Sequence, residues 1–174
     1  MSSPDRKAFA PARRALLGGG LAALGLAAAG CGFTPALKAG SEQRALSGKV
    51  ALRLPEGRLG FALRETLERR LDRAGPSPLY LLTADLVMTD SGLAVTPDAS
   101  ITRYVVEGGS NWSLTGPAGF RPIQGRSEAM TAYSATASVF STRQARRDAE
   151  SRVAKELGER IWTEIAAALA ARQG

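Results

Sequence analysis

Residues 141–170 read STRQARRDAESRVAKELGERIWTEIAAALA, and the fold follows from how this run is read. Ala145, Ala149, Val153, Leu157, Ile161, Ile165 and Leu169 recur every four residues. Because an α-helix repeats every 3.6 residues, the stripe drifts and widens, and Ala154, Trp162 and Ala166 fill it. The pattern predicts a long amphipathic helix, opened by a capping box of Ser141 and Gln144. One broad apolar stripe requires a second layer to bury it.

That layer is legible upstream. Lys49 to Leu54 alternates as a first strand. Leu59, Leu63, Leu67 and Leu71, joined by Ala62 and Ala74, form a second helical stripe that Gly75 and Pro76 should stop. Phe61 falls off it. Tyr80, Leu82, Ala84, Leu86 and Met88 alternate as a half-buried strand. Asp90-Ser-Gly92 reads as a turn, residues 93–114 as further β structure, Gly116-Pro-Ala-Gly119 as a hairpin turn, and residues 123–133 as a last strand. Gly108-Gly109, inside the β region, suggests a bulge. The expected fold is α+β and two-layered. Two helices pack on a mostly antiparallel or mixed four-stranded sheet, in the order β-α-β-β-β-α. One domain covers residues 49–174, preceded by a Gly/Ser/Ala/Pro-rich tether over residues 31–48.

Composition excludes much chemistry. The 174 residues contain no histidine and one cysteine. The usual neutral-pH general base, disulfides and thiolate metal cages are therefore absent, and no cofactor or metal site is expected. A Ser-His-Asp triad cannot be assembled, and no Gly-rich phosphate loop joins a strand to a helix. The carboxylate pairs Glu65/Glu68 and Asp148/Glu150 sit among arginines and read as solvated helix charges. The expectation is a non-enzyme. Four basic and one acidic side chains fall in the first 30 residues, leaving 19 basic against 15 acidic, too even a mixture for a nucleic-acid binder.

Residues 1–30 have a basic start, an apolar Leu/Ala/Gly run and a small-residue end, the form of a secretory signal peptide. Cys31 follows directly, which resembles a bacterial lipobox and implies S-diacylglycerol and N-acyl modification of that residue. Two or more acyl chains hold a protein on a membrane where one does not. An incidental cysteine after a plain signal peptide is one rival reading. An uncleaved span over residues 15–37 is the other, though its glycines and Pro35 make a poor helix. Arg13-Arg14 hints at twin-arginine export without settling the route. Gly32 stands where aspartate would favour inner-membrane retention in the enterobacterial sorting rule, so the outer membrane is expected.

Arg143, Arg146 and Arg147 crowd the expected first turns of the last helix, where the dipole disfavours cations by roughly 0.3–1 kcal/mol each. They are either a solvated face balanced by Asp148 and Glu150 or a cationic patch for an anionic partner such as lipid phosphates. Arg103, Arg121 and Arg126 invite the same two readings.

The run Cys31-Gly-Phe-Thr-Pro35, the element order, and the stretch from Phe140 through Asp148-Ala-Glu-Ser-Arg152 resemble the lipopolysaccharide-assembly lipoprotein family LptE, in its alphaproteobacterial form. The resemblance implies a lipid-anchored protein on the periplasmic face of the outer membrane. Such a protein plugs and stabilises the β-barrel translocon LptD and assists delivery of lipopolysaccharide. Arg143, Arg146, Arg147 and Arg103 are then candidate lipopolysaccharide contacts. The other reading is a generic envelope lipoprotein serving an export system as an auxiliary lipid- or substrate-binding component.

Overall fold

The computed structural model describes residues 45–95 and 101–172. Residues 1–44 lie outside them, and Cys31 with them. The elements are β1 (Val50–Arg53), α1 (Arg58–Leu71), β2 (Tyr80–Ala84), β3 (Val87–Val95), β4 (Ile101–Thr115), β5 (Ile123–Ser134) and α2 (Val139–Ala170).

Two helices cover one face of a mixed sheet, as the alternating strands and striped helices require. The sheet has five strands rather than the expected four. β4 is its spine. β5 pairs with it antiparallel along residues 103–114. On its other side β2 takes residues 112–115 and β3 takes residues 101–109. β1 pairs parallel with β2 through the α1 crossover.

The extra strand arises at Asp85. Its carboxylate accepts from the backbone N–H and the Nδ2 of Asn111, at 2.6 and 2.9 Å, and its own N–H donates to the Asn111 carbonyl at 3.0 Å. This side-chain clasp ends β2, and β3 restarts at Val87. Asp90-Ser-Gly92, expected as a turn, lies inside β3, where the register shifts between Gly92 and Ala94. Gly108-Gly109, expected as a bulge, pairs in unbroken register with Ala129 and Glu128. The glycine at 108 is there for packing. A Cβ would lie 2.4 Å from Val153 Cγ1 of α2.

Both helix ends differ from expectation. α2 starts earlier, capped by Ser138, whose hydroxyl accepts from the Ser141 N–H. α1 stops at Leu71, before Gly75, because the preceding chain takes over its terminal carbonyls: Gly48 N–H donates to Leu71 O at 2.7 Å. Asp72 follows in the left-handed region at φ 58°, its carboxylate accepting from the Ser47 hydroxyl. Leu46, assigned to the tether by composition, is buried in the core.

The expected stripe of α2 faces the core, with Ala145, Trp162 and Ala166 only half-buried. Ala149, Val153, Ala154, Leu157, Ile161, Ile165 and Leu169 are buried, together with Gly158. Gly158 lets α1 approach closely, since a Cβ there would meet Thr66 at 2.9 Å. Among the polar ties that cross the layers, Trp112 Nε1 and Ser127 Oγ donate to the Glu164 carboxylate at 3.1 and 3.0 Å.

Candidate functional site

The two helices run in the same direction. Arg58 at the start of α1 meets α2 at Arg147 and Glu150, Thr66 lies against Gly158, and Arg70 reaches Glu159. The first turn of α1 therefore lies against the third turn of α2. There Arg58, Arg143, Arg146, Arg147 and Glu150 line a shallow depression of about 210 Å³.

These arginines are not equivalent. Arg58 donates to the Arg147 carbonyl at 2.8 Å and pairs with Glu150. Arg146 Nε sits 3.1 Å from both Glu150 Oε1 and Asp90 Oδ2, tying α2 to β3. Arg143 and Arg147 have no carboxylate within ion-pair distance among the described residues. With the helix starting at Val139 these cations lie deeper than its first turn, where the dipole acts weakly. The depression therefore holds four guanidinium groups against Glu150, with Asp90 behind Arg146, and is net positive.

Apolar side chains stand beside the charge. Val139 and Phe140 in the first turn of α2 are 64% and 79% exposed, and Phe61, one turn past Arg58, is 69% exposed. Phe140, Arg143 and Arg147, three and four residues apart, share one helix face. An exposed aromatic next to unpaired guanidinium groups suits a ligand with both anionic and apolar parts.

Behind Arg146, Tyr133 donates to Asp90 Oδ2 at 2.9 Å and stacks on Tyr104 with ring centroids 5.2 Å apart. Burial, then the hydrogen bond to Asp90 and its charge, push the Tyr133 phenol from its ordinary 10.0 up to about 12, against the opposing pull of Arg146. Folding thus favours the protonated phenol. That contribution is whole below pH 10 and disappears as the pH rises from 10 to about 12. We expect Tyr133→Phe to flatten the fall in urea midpoint across this window. Equal slopes in the two proteins would refute the assignment.

The structure brings Arg143, Arg146 and Arg147 together and separates Arg103 from them. Arg103 is exposed on β4, and strand alternation puts it on the face away from the helices, opposite to Val106, Ser110 and Trp112. Arg126, on that same open face, pairs with Glu128 at 2.9 Å. The contribution of Arg58 carried no sequence signal, because it arrives from a helix 89 residues away. Among the described residues no acidic cluster could hold a metal ion, and no helix is long and apolar enough to cross a membrane.

A family model described as LptE, lipopolysaccharide-assembly, matches residues 48–165. Among solved structures, the chain is similar to a lipoprotein from Caulobacter crescentus CB15. Identity is 22%, with 76% of this chain and 98% of that one covered, at a TM-score of 0.57. It is also similar to the rare lipoprotein B of Shewanella oneidensis, at 14% identity, with 72% and 98% covered and the same TM-score of 0.57. These likenesses are of fold. No curated protein matches the sequence.

Proposed function

The chain belongs to the lipopolysaccharide-assembly family LptE, and from that premise we propose that it is an outer-membrane lipoprotein that plugs and stabilises an LptD-type β-barrel translocon. In this reading acyl chains on Cys31 hold the domain at the periplasmic face, and its role is non-enzymatic. The family match over most of the folded domain is the observation that carries the proposal. Purification of the chain from native membranes should bring down a large outer-membrane β-barrel, and depletion should reduce surface lipopolysaccharide. Recovery as a free protein, with no barrel, would count decisively against the reading.

In this reading lipopolysaccharide contacts Arg143 and Arg147, which have no carboxylate partner among the described residues, with Phe140 beside the acyl region of the ligand. Charge-assisted hydrogen bonds contribute about 1.5–3 kcal/mol each, so Arg143→Glu with Arg147→Glu should weaken lipopolysaccharide binding by at least about tenfold. Arg103→Glu should change it by less than about twofold, as expected for an exposed charge on the far face. Binding unchanged in the helix variant would remove the patch from the model. Arg146 is left out of the test because its pairs with Asp90 and Glu150 hold α2 to β3.

A further inference from the structure

Two glycines stand side by side in the middle of β4, and the fold requires only one of them. Gly108 faces α2, where a Cβ would strike Val153. Gly109 faces the other way, onto the side of the sheet that the helices leave uncovered. A Cβ there would meet nothing within 4 Å, and its backbone lies outside the left-handed region. Any side chain would fit, yet the position holds the residue that most weakens a strand interior. A glycine of this kind marks a place where a group from outside approaches the backbone closely.

The register shows what surrounds it. Val87 of β3 and Glu128 of β5 lie directly across from Gly109, and Thr89 and Met130 lie directly across from Glu107. Together they enclose a hollow of about 580 Å³ with Gly109 in its floor. Val87 and Met130 are 60% and 74% exposed and form apolar walls. The charges are not all balanced. Arg126 is held by Glu128 at 2.9 Å, and Arg160, at the rim, by Glu156 at 3.0 Å. Among the described residues the Glu107 carboxylate has no partner.

We propose that this hollow receives an arginine side chain of the β-barrel; the inference rests on the plug reading, in which the uncovered face of the sheet meets a barrel wall. The chemistry selects the occupant. A free carboxylate beside apolar walls suits a cation carried on an apolar stem, which lies along Val87 and Met130 while its charge reaches Glu107. Arginine fits better than lysine, because a planar guanidinium can lie flat on the bare backbone of Gly109 and offer its fork to the carboxylate. An anionic lipid would be repelled by Glu107 and Glu128. The hollow thus differs in kind from the depression at Arg143 and Arg147: that one takes negative charge, this one positive.

Affinity purification of the full-length chain from native membranes, with washes at raised salt, tests this. The wild type should bring down the β-barrel. Gly109→Leu fills the hollow, and Glu107→Arg sets a like charge against the incoming guanidinium. Each should lower the barrel recovered by about tenfold or more. Neither should lower the thermal midpoint appreciably, since a side chain at 109 has open space and that of Glu107 has no partner to lose among the described residues. Gln124→Leu, an added apolar group on the same face outside the hollow, should leave recovery unchanged. A photoreactive p-benzoylphenylalanine at Thr89 should cross-link to a barrel segment with an arginine facing the lumen, and replacing that arginine by glutamate should restore recovery with Glu107→Arg. Full recovery with both Gly109→Leu and Glu107→Arg, an equal loss with Gln124→Leu, or a captured segment without arginine would overturn the hollow while the plug reading stands. A wild type that brings down no barrel would overturn both.

Discussion

Leu157→Ala should lower the stability of the domain by about 2–5 kcal/mol, the range for deleting a fully buried leucine that leaves a cavity. Leu157 is completely buried in the middle of α2, at the depth where α1 crosses at Gly158 and the sheet presents Gly108. Gly108 has no side chain with which to fill the void, so a loss within this range is expected. For a domain of this size that corresponds to a thermal midpoint lower by roughly 10 °C or more. Urea denaturation followed by far-ultraviolet circular dichroism gives the number directly. A loss under about 1 kcal/mol would mean that the site relaxes and that the packing described is wrong. Leu59→Ala, on the predicted stripe of α1 but only half-buried, should cost clearly less.

Gly108→Val carries the second large effect, and it has the opposite sign from what β-propensity suggests. Valine is preferred in strands and glycine is not. At this position even the first added carbon would sit 2.4 Å from Val153 Cγ1, 3.0 Å from Met88 Sδ and 3.1 Å from Leu157 Cδ1. Met88 can swing aside, but Val153 is stiff about χ1 and stands on a helix pinned by its whole stripe. The destabilisation should reach or exceed the upper end of the ~1–3 kcal/mol typical of overpacking. A double-mutant cycle identifies the cause. Val153→Ala alone should destabilise by opening space, yet combined with Gly108→Val it should recover part of the loss, a coupling expected only of residues in contact. Strict additivity would show that Gly108 is needed for backbone conformation instead.

The two helical stripes were readable because helix period is a local property: four-residue spacing at Val153, Leu157, Ile161 and Ile165 puts those side chains on one side whatever they later pack against. The number of strands was not readable. The break at Asp85 depends on a carboxylate finding Asn111, 26 residues away, and nothing in Tyr80–Met88 distinguishes a clasped chain from a continuous alternating strand. For the same reason Asp90-Ser-Gly92 carries turn residues yet stays within the strand: β4 offers it a ladder that outweighs local preference. The candidate site was half legible. Arg143, Arg146 and Arg147 stand out as a cluster in the sequence, but which of them are free depends on Asp90, Glu150 and Arg58.

What the residues determined alone was periodicity: two amphipathic helices, alternating strands between them, and a chain without histidine or paired cysteines, hence without most catalytic sets. Tertiary structure decided where those elements end and which charges remain available. α1 stops at Leu71 because Gly48 takes its carbonyl, and Gly108 is required because Val153 lies above it. Among the described residues Arg143 and Arg147 stay unpaired, and Glu150, the carboxylate in their depression, is held by Arg58 and Arg146. Periodicity is written between neighbours in the chain, whereas termination, close approach and ion pairing are settled by groups that meet only when the layers close.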